Sequence, residues 1–119
     1  MIDLPAEYEL IGFFECEPEL LDADVEPWVY NVIKFTVKKG EDEVLVKICA
    51  SYGELGISWL KAGAQVITLN LVDLDKISVE MQHGDEFMVA LGQYNDHAVM
   101  LKLRLKPIVA IELEQQFIL

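Results

Sequence analysis

The sequence predicts an all-β fold with minor helical turns, an antiparallel β-sandwich or partly closed barrel containing a five-stranded meander over residues 65–114. Three observations carry that expectation. Apolar and polar residues alternate with period two along most of the chain, short turn-forming clusters punctuate the alternation, and successive runs fold onto one another with apolar residues opposite apolar ones. A chain of 119 residues suits a single domain, expected to span residues 1–119. At this length folding removes roughly two-thirds of the unfolded chain's surface from water, enough for a core without disulfides or metal. With 53% hydrophobic and 25% charged residues, the chain is too apolar for intrinsic disorder despite its charge.

The elements follow in chain order. Residues 8–15, bounded by Pro5 and Pro18, read as a first strand, and residues 18–23 as a single helical turn with proline at its start. A hairpin about Lys39, Gly40, Glu41 and Asp42 pairs Val37 with Val44, Phe35 with Val46 and Ile33 with Ile48. It also sets Lys34 against Lys47, a like-charge pair that needs an acid beside it, and Glu9 or Glu15 of the first strand is the expected source. Ser51 to Glu54 has capping-box form, which predicts one or two helical turns over residues 55–61, although Gly53, Gly56 and Gly63 oppose them. Five runs then fold as a meander. Leu71 pairs with Ile77, Leu69 with Val79, Val79 with Val89, Ile77 with Leu91, Val89 with Leu101, and Leu101 with Leu113. That register puts Met88, Ala90, Met100 and Ala110 on the outer face and sets Glu86 against Arg104. Eight strands result, and acids on the terminal ones protect the sheet edges.

The net charge of −12 is unevenly spread. Residues 1–27 hold nine acids and no base, so the other 92 residues carry only 12 acids against 9 bases, a net −3. Such a surface repels phosphate backbones, which argues against nucleic acid as a partner. A basic protein is its natural complement, because opposite potentials steer encounter. The longest stretch without Asp, Glu, Lys or Arg is residues 62–72, about half of the roughly 20 apolar residues a membrane helix requires. No membrane partner is expected. The acids among the first ten residues do not suit a secretion signal, so a cytoplasmic location is expected, where Cys16 and Cys49 stay reduced.

No motif with a strong chemical mechanism occurs. The phosphate-binding and zinc-protease patterns are missing, and Gly56, Ile57, Ser58, Trp59, Leu60 lacks the second glycine of a nucleophile elbow. His83 and His97 fall in loops at opposite ends of the meander, too far apart to share a metal. Asp22, Asp24 and Glu26 begin like a calcium loop, but Pro27 and Ile33 stand where the loop needs glycine and glutamate. No catalytic residue, cofactor or metal is therefore expected.

The leading expectation is a non-enzymatic protein-binding domain. Its partner-binding residues are Glu15, Glu17, Glu19, Asp22, Asp24 and Glu26, with Trp28 beside them as an amphipathic anchor. Small acidic proteins that neutralise basic nuclease toxins, the bacterial immunity proteins, are one instance of that class. A small-molecule carrier built as a β-barrel or clam is the alternative, with Asn31 or Tyr52 lining its pocket. Homodimerisation through an edge strand is compatible with either.

Overall fold

The computed structural model describes residues 1–22 and 30–117, with Tyr94 described by its backbone alone. Its elements are a helix α1 (Glu7–Phe14) and nine strands: β1 (Glu19–Leu20), β2 (Val32–Lys39), β3 (Asp42–Cys49), β4 (Glu54–Lys61), β5 (Ala64–Leu71), β6 (Leu74–Gln82), β7 (Asp85–Tyr94), β8 (His97–Arg104) and β9 (Ala110–Phe117). A 3-10 turn, Ala50–Tyr52, joins β3 to β4. The strands form two antiparallel sheets, β1-β2-β3-β4-β5 and β6-β7-β8-β9, which share one buried core and do not close into a barrel. The expected all-β antiparallel sandwich is therefore present.

Its strand order corrects the expected five-stranded meander. Residues 64–71 pair with β4, and residues 74–82 open the second sheet, so the chain changes sheets at Val72 and Asp73. Asp73 takes a left-handed φ of 57° to make the corner. Apolar residues alternate in β5 and β6 because both strands face the same core from opposite sides, a pattern indistinguishable by sequence from a hairpin. Residues 55–61 are the strand β4 rather than helical turns: Leu55 and Ile57 face the core and Trp59 packs at its margin. Ser51 and Tyr52 lie instead in the short 3-10 turn, closed by Gly53 at φ 69°, and Glu54 opens β4.

The β2–β3 register is the expected one, including Ile33 opposite Ile48 and Lys34 opposite Lys47. Glu19, opposite Lys34 on the neighbouring strand, takes the place expected for Glu9 or Glu15. The β8–β9 register also stands, with Leu101 opposite Leu113 and Leu103 opposite Ile111. The two intervening hairpins are each slipped by one residue. Two-residue turns at His83-Gly84 and Asn95-Asp96 set Val79 against Met88 and Ala90 against Leu101. A one-residue slip exchanges the faces. Met88 and Ala90, expected outside, are 0% exposed in the core, while Leu91 faces outward. Arg104 accordingly stands opposite Phe87, and its guanidinium reaches Asp85 at 3.3 Å rather than Glu86.

Residues 8–15 are not a strand. Leu10, Phe13 and Phe14 recur at helical spacing and are all buried, and Glu7 and Glu9 in the first turn favour the positive end of the helix dipole. The helix packs on β2 of one sheet and on β6 and β7 of the other. Phe14 stacks on Phe35 with centroids 4.2 Å apart and planes 14° from parallel. The residues ahead of it tie the sheets further. Ile2 N–H donates to the Ala50 carbonyl, while Asp3 donates to Asp75 and accepts from Ile77 N–H beside β6. Residues 18–22 hold the two-residue strand β1 in place of a helical turn, and Ala23 lies outside the described residues.

Candidate interaction surface

The acidic segment leaves α1 through Glu15, whose φ of 58° ends the helix while its N–H donates to the Ile11 carbonyl at 2.8 Å. The Glu15 carboxylate pairs with the Lys106 ammonium, which belongs to the loop between β8 and β9. That hydrogen bond and the lysine's charge hold the Glu15 carboxyl below the usual glutamate range. The same contact raises Lys106. Both side chains are exposed to solvent, so water screens the pair and it contributes position more than stability.

Glu17 is exposed, and Glu19 sits on the short strand β1 against Lys34. Three residues beyond Glu19, Asp22 is fixed through its backbone. Asn31, only 3% exposed, accepts from the Asp22 and Val32 N–H groups at 3.0 Å and donates to the Asp22 carbonyl. A buried amide must be satisfied to be tolerated, and this one spends its groups on clasping both ends of residues 22–32. Asn31 is thus a positioning residue for the acidic segment rather than part of a ligand pocket. Its signal in the sequence is a lone amide immediately before a β-branched strand. Tyr52, the other side chain assigned to a pocket, is largely exposed on the 3-10 turn. Asp24, Glu26 and Trp28 lie outside the described residues.

The structure therefore brings Glu15, Glu17, Glu19 and Asp22 into one run from the end of α1 to the edge of the five-stranded sheet. These carboxylates can attract and orient a basic surface. Among the described residues no group of three metal-ligating side chains forms, and no helix is long and apolar enough to cross a membrane. His83 and His97 occupy opposite ends of β7's two hairpins, as their turns dictate. His97 lies beside Asp96 at 3.0 Å and against the Phe117 ring. Both cysteines are free. Cys16 is half-buried with its thiol turned to the Thr36 carbonyl at 3.7 Å, and desolvation pushes its pKa up, which disfavours the reactive thiolate.

Two depressions lie on the outer faces of the sheets. The outer face of the four-stranded sheet has a depression of about 400 Å³ lined by Asp75, Leu91, Gln93, Met100 and Glu114. A second, of about 310 Å³, lies on the outer face of the other sheet where Gly56 leaves space between Lys47 and Asn70. Between the sheets, by contrast, Phe35, Ile48, Leu55, Met88 and Leu103 meet at 2% exposure or less.

No family model matches the chain, and no curated protein matches its sequence. Among solved structures, it is similar to one chain of a contact-dependent growth inhibition toxin–immunity protein complex from Klebsiella pneumoniae 342. The TM-score is 0.84 over 97% of each chain, at 16% sequence identity, so the two chains share a fold across nearly their whole lengths.

Proposed function

We propose that this chain is the immunity member of a toxin–immunity pair, a non-enzymatic protein that binds and neutralises a basic toxin in the cytoplasm. The observation that carries the reading is the fold shared end to end with a chain from such a complex. The charge supports the choice of the neutralising member, since a net −12 complements a basic toxin and repels phosphate backbones. Glu15, Glu17, Glu19 and Asp22 belong to the face that meets the toxin, and Asp24, Glu26 and Trp28, outside the described residues, are assigned to the same contact from the sequence alone. Asn31 and Lys106 anchor the two ends of its described part.

Co-expression tests the proposal. Candidate toxin domains from the genes adjoining this chain's are expressed in a sensitive host with and without the chain. Growth restored by the chain, with a stable complex on gel filtration, is the expected result. Continued killing in the presence of abundant folded chain would overturn it.

A further inference from the structure

The two sheets expose four edges, and three of them are blunted. β1 is two residues long. β6 carries a register shift and is covered by Asp3, which donates to the Asp75 carbonyl and accepts from Ile77 N–H. β5 is broken by a bulge at Val66, and the Gln65 side-chain amide occupies the Ile67 carbonyl at 2.6 Å. Short edges, bulges and covering groups are the usual means by which proteins keep foreign strands from pairing.

β9 has none of these, and its acids, expected to guard the edge, repel acidic strands while leaving it open to a basic one. It runs for eight residues in unbroken register with β8, and no described strand pairs with its other side. Its last six residues, 112–117, are all exposed. Glu112 and Glu114 share one face, and Lys102, opposite Glu112, directs its ammonium to the Gln82 side chain instead. The other face carries Leu113 at 39% and Phe117 at 71% exposure. The edge thus presents unpaired backbone groups between an acidic and an apolar row.

We propose that β9 is a docking edge that takes up an extended segment of a protein partner as an additional strand, the segment alternating basic and apolar residues. Backbone pairing supplies the affinity of such an addition, and alternate side chains supply the selectivity. Basic residues on the segment meet Glu112 and Glu114, while apolar ones cover Leu113 and Phe117. A second copy of the chain is disfavoured in the register centred on Leu113. Symmetric pairing with Leu113 opposite Leu113 sets Glu112 against Glu114 twice, and directly opposed like charges are repulsive. This inference deepens the immunity reading by adding a second contact, remote in sequence from the acidic segment.

The probe is a peptide of alternating lysine and valine, matched to β9 in its eight-residue length. Its control is the same peptide methylated at alternate backbone nitrogens, which keeps the charge and removes strand pairing. The expected result is a loss of affinity of at least about tenfold on methylation, with slowed hydrogen exchange confined to residues 111–117. Glu112→Lys with Glu114→Lys, both at exposed positions, should weaken the unmethylated peptide comparably while leaving the circular dichroism melt unchanged. Equal binding of the two peptides, protection falling on residues 15–22, or a wild-type dimer that these reversals abolish would overturn the proposal. Failure of the wild-type chain to neutralise any toxin domain in the co-expression test would instead sink the immunity reading and leave the peptide result standing.

Discussion

Replacing Gly92 with alanine probes the corner where the chain passes from one sheet to the other. A Cβ at Gly92 would lie 2.7 Å from the Asp73 carbonyl oxygen and 3.1 Å from Leu74 Cα, both backbone atoms of the crossover. Relief requires β7 or the corner to move by several tenths of an ångström, and neither ends in a flexible side chain that can swing away. Overpacking of this kind costs about 1–3 kcal/mol. At this chain length that is a fall in melting temperature of roughly 4–12 °C. Gly12, in α1, supplies the control, because a Cβ there meets nothing within 4 Å. Gly12→Ala should stabilise by about 0.5–1 kcal/mol through the lower entropy of the unfolded helix segment. Urea denaturation of both variants, with the slope checked for constancy, measures the two signs together. A Gly92→Ala variant as stable as wild type would refute the close crossover, and a destabilised Gly12→Ala would refute the helix.

Two further predictions concern α1. Phe14→Ala removes the ring stacked on Phe35 and should cost about 3–5 kcal/mol in denaturant unfolding, a large share of a small domain's stability; a loss below about 1 kcal/mol would show that the helix does not anchor the sheets. For Glu15, a lowered folded pKa means the pairing is present above the unfolded carboxyl's pKa and is lost as pH falls through the folded value. An NMR titration should place the Glu15 carboxyl below the ordinary glutamate range, and Lys106→Met should return it toward that range without unfolding the chain. An unchanged Glu15 titration in that variant would exclude the ion pair.

The parts legible in the sequence are those where only one face of a strand is apolar. In β2 and β3 the core residues Ile33, Phe35, Val44, Val46 and Ile48 alternate with Lys34, Thr36, Lys47 and a Gly40 turn, so one register satisfies both faces. In β7 the run Phe87, Met88, Val89, Ala90 and Leu91 is apolar on both faces, and alternation cannot choose between registers one residue apart. The corner at Asp73 was hidden for a different reason: strands facing one core from opposite sheets need the same pattern as neighbours in one sheet. Helix α1 was readable from the spacing of Leu10, Phe13 and Phe14, but its aromatic content and flanking prolines favour a strand reading. Of the acidic surface, the charges were plain in the sequence. The groups that hold it, Asn31 and Lys106, depend on contacts across 9 and 91 residues, which no local pattern encodes.

Under the proposed function, localised negative charge guides this chain to a basic protein. Stopped-flow association with a toxin domain that the chain neutralises in co-expression tests that reading most directly, for the wild type and for the combined Glu17→Lys, Glu19→Lys, Asp22→Lys and Asp24→Lys variant. Wild-type association should slow steeply as salt rises past about 0.1 M, and the variant should associate at least about tenfold more slowly at low salt with little salt dependence. Equal rates for the two proteins at every salt concentration would contradict the account.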